Sequence, residues 1–292
     1  MPVLEAVQTF AGITNENEFY SHHYLAEVFK NDVKDRLDAW DAAEAEHAGD
    51  DAHRAPAKRL QSWAQRWFAL RGQVQRAHEP NERWHAFAQM QSGLLQALGY
   101  PAAPKEFRTE EFVTGSPLPV WQVQGQRLAI IPAYQPGAEG EDLLDHQLLP
   151  FHYGNGTLPK DLAGETWADL LSDAVFGGDQ PPRYVLLLGL DDWLLLDRYK
   201  WPNNRALRFS WADILDRKDP DTLKACAVLL HKDCLAPGEG NSLLERLDER
   251  AHANAFSVSE SLKYALREAI ELLGNEAARQ LDEQASGSKK SI

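Results

Sequence analysis

The first hundred residues place their large apolar side chains at the period of an amphipathic helix. Between residues 15 and 40 these positions recur at spacings of mostly three, four and seven, which predicts a helix whose start is capped by Asn15 with Glu18. Two further helices are predicted around residues 60–70 and 84–98, the second ending at Gly99. We therefore expect a helical N-terminal segment over residues 1–100.

Beyond Pro101 the pattern changes to alternation and short apolar runs, which are typical of strands. The runs VWQVQ and RLAII flank Gly125-Gln126, and the runs YVLLLGL and WLLLDRY flank Asp191-Asp192, so two β-hairpins are predicted. The stretch TWADLLSDAVFGG between them predicts a helix. The order hairpin, helix, hairpin indicates an α/β fold with a mixed sheet over residues 101–209.

Helical periodicity returns after Ser210 and continues almost to the C-terminus. Ser210 with Asp213 and Ser257 with Glu260 have the spacing of capping boxes, which predicts separate helices beginning at these two serines. We expect a helical connector over residues 210–285, followed by a small, polar and disordered tail over residues 286–292. The apolar stripe of the last helix consists of Leu262, Leu266, Ile270, Leu273, Ala277 and Leu281.

Composition favours a globular protein of the cytoplasm. Of the 292 residues, 43% are hydrophobic, which is enough for a packed core, and the longest apolar run, Val185 to Leu190, is too short to cross a bilayer. The N-terminus lacks the basic-then-apolar order of a secretion signal. Two cysteines, Cys226 and Cys234, are expected to be reduced and partly buried.

A net charge of −14 argues against a nucleic-acid backbone being gripped across the whole surface, although it leaves room for a local basic patch. The stretch RYKWPNNR is the best candidate for such a patch, with Lys200, Trp201 and Arg205 as the predicted nucleic-acid contacts. The alternative, a strand end whose tryptophan packs into the core, is the more common arrangement.

Histidines next to carboxylates are the candidate metal ligands. His22 and His23 point about 100° apart on a helix and cannot both bind one ion. His146 and His152 follow an acidic loop that could gather a divalent ion, although such loops are more often solvated. The acidic residues of this loop are Glu139, Glu141, Asp142 and Asp145.

The hairpin PVWQVQGQRLAIIPAY has the form of one that carries Asp/Glu-x-Lys in metal-dependent nucleases of the restriction type. Two carboxylates would hold Mg²⁺ there and the lysine would steady the attacking water. This chain has Ile131-Pro132-Ala133 at that position, with Glu110 and Glu111 before the first strand as early acids. An intact site is therefore not expected, unless the second hairpin substitutes for it with Asp191, Asp192 or Asp197 and with Lys200.

Three stretches carry a resemblance to a known family. FAGITNENEFYSHHYLAEVF, RYVLLLGLDDWLLLDRYKW and SVSESLKYALREAIELLGNEA resemble the N-terminal region of large bacterial adenine-specific DNA methyltransferases of restriction-modification and phage-defence systems. The chain looks similar to type IIG enzymes and to the adenine methylases of the DISARM and BREX systems. The resemblance spans almost the whole chain and implies a degenerate restriction-endonuclease-like core with a helical connector.

The resemblance also implies partners and a cofactor. DNA, a downstream methyltransferase domain and other defence-system subunits would be the partners, and S-adenosylmethionine would be bound by the parent enzyme. This chain has neither the Asn-Pro-Pro-Tyr loop nor the glycine-rich loop of such methylases, so no catalytic, cofactor or metal residue is assigned to it.

The function expected from the sequence is that of a noncatalytic N-terminal module that positions DNA or partner subunits. Two alternatives stay open. The first is an active metal-dependent nuclease using Asp191, Asp192 or Asp197. The second is a pure protein-interaction module, suggested by the acidity and the many tryptophans.

Overall fold

A computed structural model describes residues 9–50, 53–102, 109–113, 115–153 and 156–288. The chain divides into two compact units, Met1–Arg246 and Leu247–Ile292. This division differs from the predicted boundaries at residues 100, 209 and 285, because the N-terminal helices and the first helices after Ser210 belong to the same unit as the sheet. Among the described residues, no helix combines the length and the apolarity that a membrane span requires.

The first unit is a mixed α/β structure built on a six-stranded sheet. The six strands are β1 (Ile13–Glu16), β4 (Gln122–Gln124), β5 (Leu128–Pro132), β6 (Tyr184–Leu188), β7 (Asp192–Asp197) and β8 (Ala206–Ser210). Their order in the sheet is β1-β8-β7-β6-β5-β4, and neighbouring strands are antiparallel except β5 and β6, which are parallel. A separate antiparallel pair consists of β2 (Thr109–Glu111) and β3 (Pro117–Pro119). Both predicted hairpins, β4–β5 and β6–β7, are confirmed.

Nine α-helical segments lie in the described residues. They are α1 (Phe29–Asp32), α2 (Lys34–Glu46), α3 (Pro56–Arg76), α4 (Pro80–Ala97), α5 (Trp167–Leu170), α6 (Trp211–Arg217), α7 (Pro220–Leu230), α8 (Lys232–Leu235) and α9 (Leu243–Ser288). Two π-helical segments, Tyr24–Val28 and Leu171–Val175, precede α1 and follow α5. The predicted helices around residues 60–70 and 84–98 are confirmed as α3 and α4, and Gly99 ends α4 with a φ of 80° that favours glycine.

The sheet is covered on both faces, which explains why β5 and β6 are buried at every position. One face carries Ala129, Ile131, Val185 and Leu187 in a cluster with the α5 region, which contributes Trp167. On the other face, Trp193 contacts Trp211 of α6 with ring centroids 5.0 Å apart. The short apolar runs of the sequence therefore belong to the centre of the molecule.

None of the three predicted capping boxes forms, although α6 begins directly after Ser210 as predicted. Asn15 lies in β1, where its amide bonds the backbone of Tyr20 at 2.6 and 3.2 Å instead of capping a helix. Ser210 precedes α6 but makes no capping hydrogen bond. Ser257 lies inside the continuous helix α9. The predicted disordered tail is helical as far as Ser288, and its last four residues, 289–292, lie outside the described residues.

Candidate functional site

The end of β5 is the position at which a restriction-type nuclease would hold its metal ion. Ile131 and Ala133 are fully buried, and the backbone N–H of Ala133 donates to the carbonyl oxygen of Leu188 at 2.8 Å. The segment thus continues the pairing of β5 with β6 and presents only alkyl and prolyl groups. Glu110 and Glu111, the predicted early acids, lie on β2 in the other sheet and are exposed.

Two buried histidines brace the chain directly after this segment. The Nε2 of His152 lies 3.0 Å from the carbonyl oxygen of Tyr134, and its Nδ1 accepts a hydrogen bond from the backbone N–H of Leu149 at 2.9 Å. Burial lowers the pKa of His152 to about 4, so the ring is neutral at neutral pH and donates through Nε2. The ring nitrogens of His146 lie 3.2 and 3.1 Å from the carbonyl oxygens of Ala133 and Ala138. Both histidines therefore stabilise the local backbone through hydrogen bonds of their ring nitrogens.

Two carboxylates of the acidic loop beside these histidines likewise form hydrogen bonds or an ion pair with the rest of the chain. Glu139 accepts hydrogen bonds from the Tyr134 hydroxyl and the Gly137 backbone N–H, both at 2.9 Å. Asp142 pairs with Arg208 at 2.8 Å. His22 and His23 are both exposed. Within the part of the chain that the structure describes, no three His, Cys, Asp or Glu side chains are grouped as a metal site would require.

The three aspartates of the nuclease alternative are each paired with an arginine. Asp191 accepts two hydrogen bonds from Arg71, each at 2.6 Å, and Asp197 pairs with Arg183 at 2.8 Å. Asp192 and Asp197 are the first and last residues of β7, so their α-carbons are separated by about 17 Å at the usual rise per strand residue. These two carboxylates cannot bind the same ion.

Arg208 on β8 pairs with carboxylates at the end of the sheet where β7 begins. Its guanidinium lies 2.5 Å from Glu16, 2.8 Å from Asp142 and 3.6 Å from Asp192. Burial raises the pKa of Asp192 above its ordinary value, while hydrogen bonds from Ser210 and Arg208 oppose that rise. The cluster links β1, β7, β8 and the acidic loop through one half-buried cation.

The predicted nucleic-acid contacts in RYKWPNNR occupy three different environments. Trp201 is 9% exposed, and its indole N–H donates to the Ser172 hydroxyl at 3.0 Å, as expected of a strand end whose aromatic packs into the core. The ammonium group of Lys200 donates to the Phe19 carbonyl oxygen at 2.7 Å and lies over the Phe19 ring. Arg205 is half-buried after the turn that Asn204 makes with a positive φ of 52°.

A row of three arginines lies at the end of the sheet where β5 and β6 begin and β7 ends. Leu128 pairs with Tyr184, and Tyr184 pairs with Asp197, so Arg127, Arg183 and Arg198 follow one another one residue beyond these partners. Two hydrogen bonds extend the ladder to them, from Tyr184 N–H to the Arg127 carbonyl at 2.8 Å and from Arg198 N–H to the Arg183 carbonyl at 2.9 Å. The register therefore brings three arginines that are distant in sequence to adjacent positions at this end of the sheet.

This arginine row lines a cleft of about 700 Å³ together with Lys232, the first residue of α8. We call these four cations and the space between them the basic cleft. Two acidic side chains, Asp233 and Glu245, also line it. Tyr199 is 61% exposed and lies under both neighbouring guanidiniums, with its ring centroid 4.1 Å from the Arg183 Cζ and 4.7 Å from the Arg198 Cζ.

The guanidiniums beside Tyr199 favour the ionised form of its hydroxyl. A hydrogen bond from Arg198 to the Tyr199 hydroxyl at 2.7 Å, followed by the charge of Arg198 itself, lowers the pKa of Tyr199 below its ordinary value. Sequence reasoning singled out neighbouring Lys200 and Arg205 and missed the row. Its members are separated by up to 71 positions, and the pairings of β5 with β6 and of β6 with β7 align them.

The two cysteines are confirmed as free, buried thiols. Burial raises the pKa of Cys234 to about 11 and raises that of Cys226 above its ordinary value as well. Both side chains are therefore protonated at neutral pH, and neither has the thiolate character of a nucleophile.

No protein-family model matches the chain, and no curated protein or solved structure matches it either. The resemblance to methyltransferase N-terminal regions therefore depends on the three sequence stretches alone. The basic cleft depends on the geometry alone.

Proposed function

We propose that this chain is a noncatalytic N-terminal module of a DNA-modifying defence enzyme of the cytoplasm. Its role is to position DNA or partner subunits for an adenine-specific methyltransferase domain, which binds S-adenosylmethionine. Its first unit is a degenerate restriction-endonuclease-like core. The observation that carries the proposal is the end of β5, where Ile131, Pro132 and Ala133 are buried and offer no oxygen ligand from a side chain.

The carboxylates of the second hairpin support the noncatalytic part of the proposal. Asp191 and Asp197 each neutralise an arginine at 2.6 and 2.8 Å, and Asp192 belongs to the Arg208 cluster. Binding a divalent ion at any of them would require a structural ion pair to be broken, which leaves a partly buried arginine without its counter-ion.

Incubation of the chain with supercoiled plasmid and Mg²⁺ or Mn²⁺ tests this part. We expect the plasmid to stay intact. The nuclease alternative would be favoured by cleavage that Asp192→Asn or Asp197→Asn abolishes and the exposed-site control Asp216→Asn retains, with circular dichroism showing that all three variants are folded.

The positioning part is tested by DNA binding as a function of salt. Fluorescence anisotropy with a labelled duplex is expected to show binding whose logarithmic affinity falls linearly with the logarithm of salt concentration. Absence of binding at low salt would contradict DNA positioning.

A protein-interaction module is the alternative that a specific observation favours. The second unit carries exposed large apolar side chains on α9, namely Phe256, Val258, Leu262, Tyr264, Leu266, Ile270, Leu272 and Leu273. Apolar surface of this extent is typical of association. A second copy of the chain is the partner that can be tested directly, since sedimentation would then depend on concentration and the dependence would be lost in Leu266→Lys/Leu273→Lys.

A further inference from the structure

The basic cleft concentrates positive charge in a chain whose net charge is −14. Arg183 is neutralised by Asp197, which is 1% exposed and lies 2.8 Å away. Among the described residues, Arg127, Arg198 and Lys232 form no ion pair. The two acidic side chains of the cleft already have partners, because Asp233 pairs with Arg36 at 3.6 Å and Glu245 accepts a hydrogen bond from the Ser242 backbone N–H at 2.7 Å.

The three unneutralised cations are half-buried. A charge that is partly withdrawn from water, and that has no counter-ion, raises the free energy of the folded state, and a bound anion lowers it again. An arrangement of this kind is expected where an anion binds, since two other partly buried arginines, Arg208 on β8 and Arg71 on α3, are neutralised by carboxylates.

The spacing and support of the row favour a phosphoryl group. Adjacent strands lie about 4.8 Å apart, so neighbouring guanidiniums can approach one ligand from several sides. Each guanidinium presents a planar fork of N–H donors that matches two phosphate oxygens. Arg198 is held in place, because its Nη1 donates to the Pro181 carbonyl at 3.3 Å and its Nη2 to the Tyr199 hydroxyl. A carboxylate, with two oxygens, would satisfy one such fork.

We propose that the basic cleft is a binding site for phosphate esters, with Arg127, Arg198 and Lys232 as the principal ligands and Arg183 and Tyr199 as the groups that orient them. The volume of about 700 Å³ is within the range of small-molecule sites, so a free nucleotide and a nucleic-acid phosphodiester are both sources of the ligand. The assignment to DNA phosphates rests on the proposed function, whereas the phosphate site itself stands without it.

Isothermal titration of the full chain with pyrophosphate, with a nucleoside diphosphate and with a short DNA duplex tests the site. The variant Arg127→Gln/Arg198→Gln/Lys232→Gln is expected to lose affinity by about 100-fold for each ligand that the unmodified chain binds. A matched control, Lys160→Gln/Arg217→Gln/Lys224→Gln, removes three exposed cations elsewhere and is expected to retain binding. Thermal unfolding shows whether both variants are folded.

The outcomes separate the site from the function. Binding of pyrophosphate or nucleotide without DNA would support the phosphate site and contradict DNA positioning. Equal losses in the cleft variant and the control variant would overturn the site, because the attraction would then be diffuse. Failure of all three ligands to bind at low salt would overturn it as well.

Discussion

The indole N–H of Trp193 donates to the side-chain oxygen of Gln91 at 2.7 Å in the core between β7 and α4. The amide nitrogen of Gln91 donates in turn to the carbonyl oxygens of Gly189 and Leu190, at 2.9 and 3.3 Å. One fully buried side chain thereby satisfies the indole and the turn between β6 and β7, and attaches α4 to the sheet.

Replacing this amide by an alkyl group is expected to be costly. Gln91→Leu leaves the Trp193 N–H and the Gly189 carbonyl unpaired in the core, which should lower the free energy of unfolding by about 3 kcal/mol. Urea denaturation measures the change. The control is Gln96→Leu on the exposed side of the same helix, for which little change is expected. Equal effects of the two substitutions would show that the network contributes nothing.

Gly93 permits the close approach of α3 to α4. A Cβ at this position would lie 1.8 Å from the Trp63 ring, so Gly93→Ala is expected to displace the ring and destabilise the chain by about 2–3 kcal/mol. Gly274→Ala is the matched substitution in α9, where a Cβ meets nothing within 4 Å. That variant should instead stabilise its helix by about 0.5–1 kcal/mol, and circular dichroism melting distinguishes the two results.

Stability is expected to fall in mild acid because of His152. Its pKa is about 4 in the folded chain against an ordinary value of 6.5, so the unfolded state binds a proton in this interval and the folded state does not. The free energy of unfolding is unaffected by the titration of this residue above pH 6.5 and falls as pH is lowered toward 4. The loss that His152 causes is about 2 kcal/mol at pH 5.

Urea denaturation at pH 7 and pH 5 measures this loss. His152→Asn keeps an acceptor for the Leu149 N–H but cannot titrate, so the difference between the two pH values should shrink by about 2 kcal/mol. Exposed His22→Asn is the control and should leave the difference unchanged. A difference between pH 7 and pH 5 that is as large in His152→Asn as in the unmodified chain would contradict this role.

Asp197 is expected to act as a structural counter-ion. Its second oxygen accepts the Tyr199 backbone N–H at 2.8 Å, so Asp197→Asn weakens both that bond and the pairing with Arg183. We expect a loss of about 3 kcal/mol in the free energy of unfolding, measured by urea denaturation. Exposed Asp216→Asn should have almost no effect. An Asp197→Asn variant of unchanged stability would contradict this role.

Sequence patterns predicted the centre of the sheet because its strands are continuous apolar runs. β1 and β8 were missed because each has polar residues on one face and is stabilised by its partner, with Ile13 opposite Phe209. Ser257 satisfied the spacing of a helix cap, yet the local pattern does not distinguish a cap from a serine inside a longer helix. The mixed α/β class, the strands β4 to β7 and the end of α4 at Gly99 were therefore predictable, whereas β1, β8 and the length of α9 were not.

The candidate site was less predictable than the fold for a physical reason. The sequence predicts Trp201 and Lys200 as neighbouring nucleic-acid contacts. Burial of the large apolar ring of a tryptophan beside a strand end stabilises the fold, so Trp201 packs into the core instead. Arg127 and Arg183 carry no local signal, since each is a single cation before an apolar run. Their proximity depends on the register of strands that are distant in sequence.

The arginine row is created by strand pairing, so it exists only once β5, β6 and β7 have assembled. An unfolded chain cannot reproduce that spacing, and a phosphate ester would therefore select the assembled sheet and shift the folding equilibrium by mass action. A high concentration of phosphate esters would thus raise the fraction of this protein that is folded.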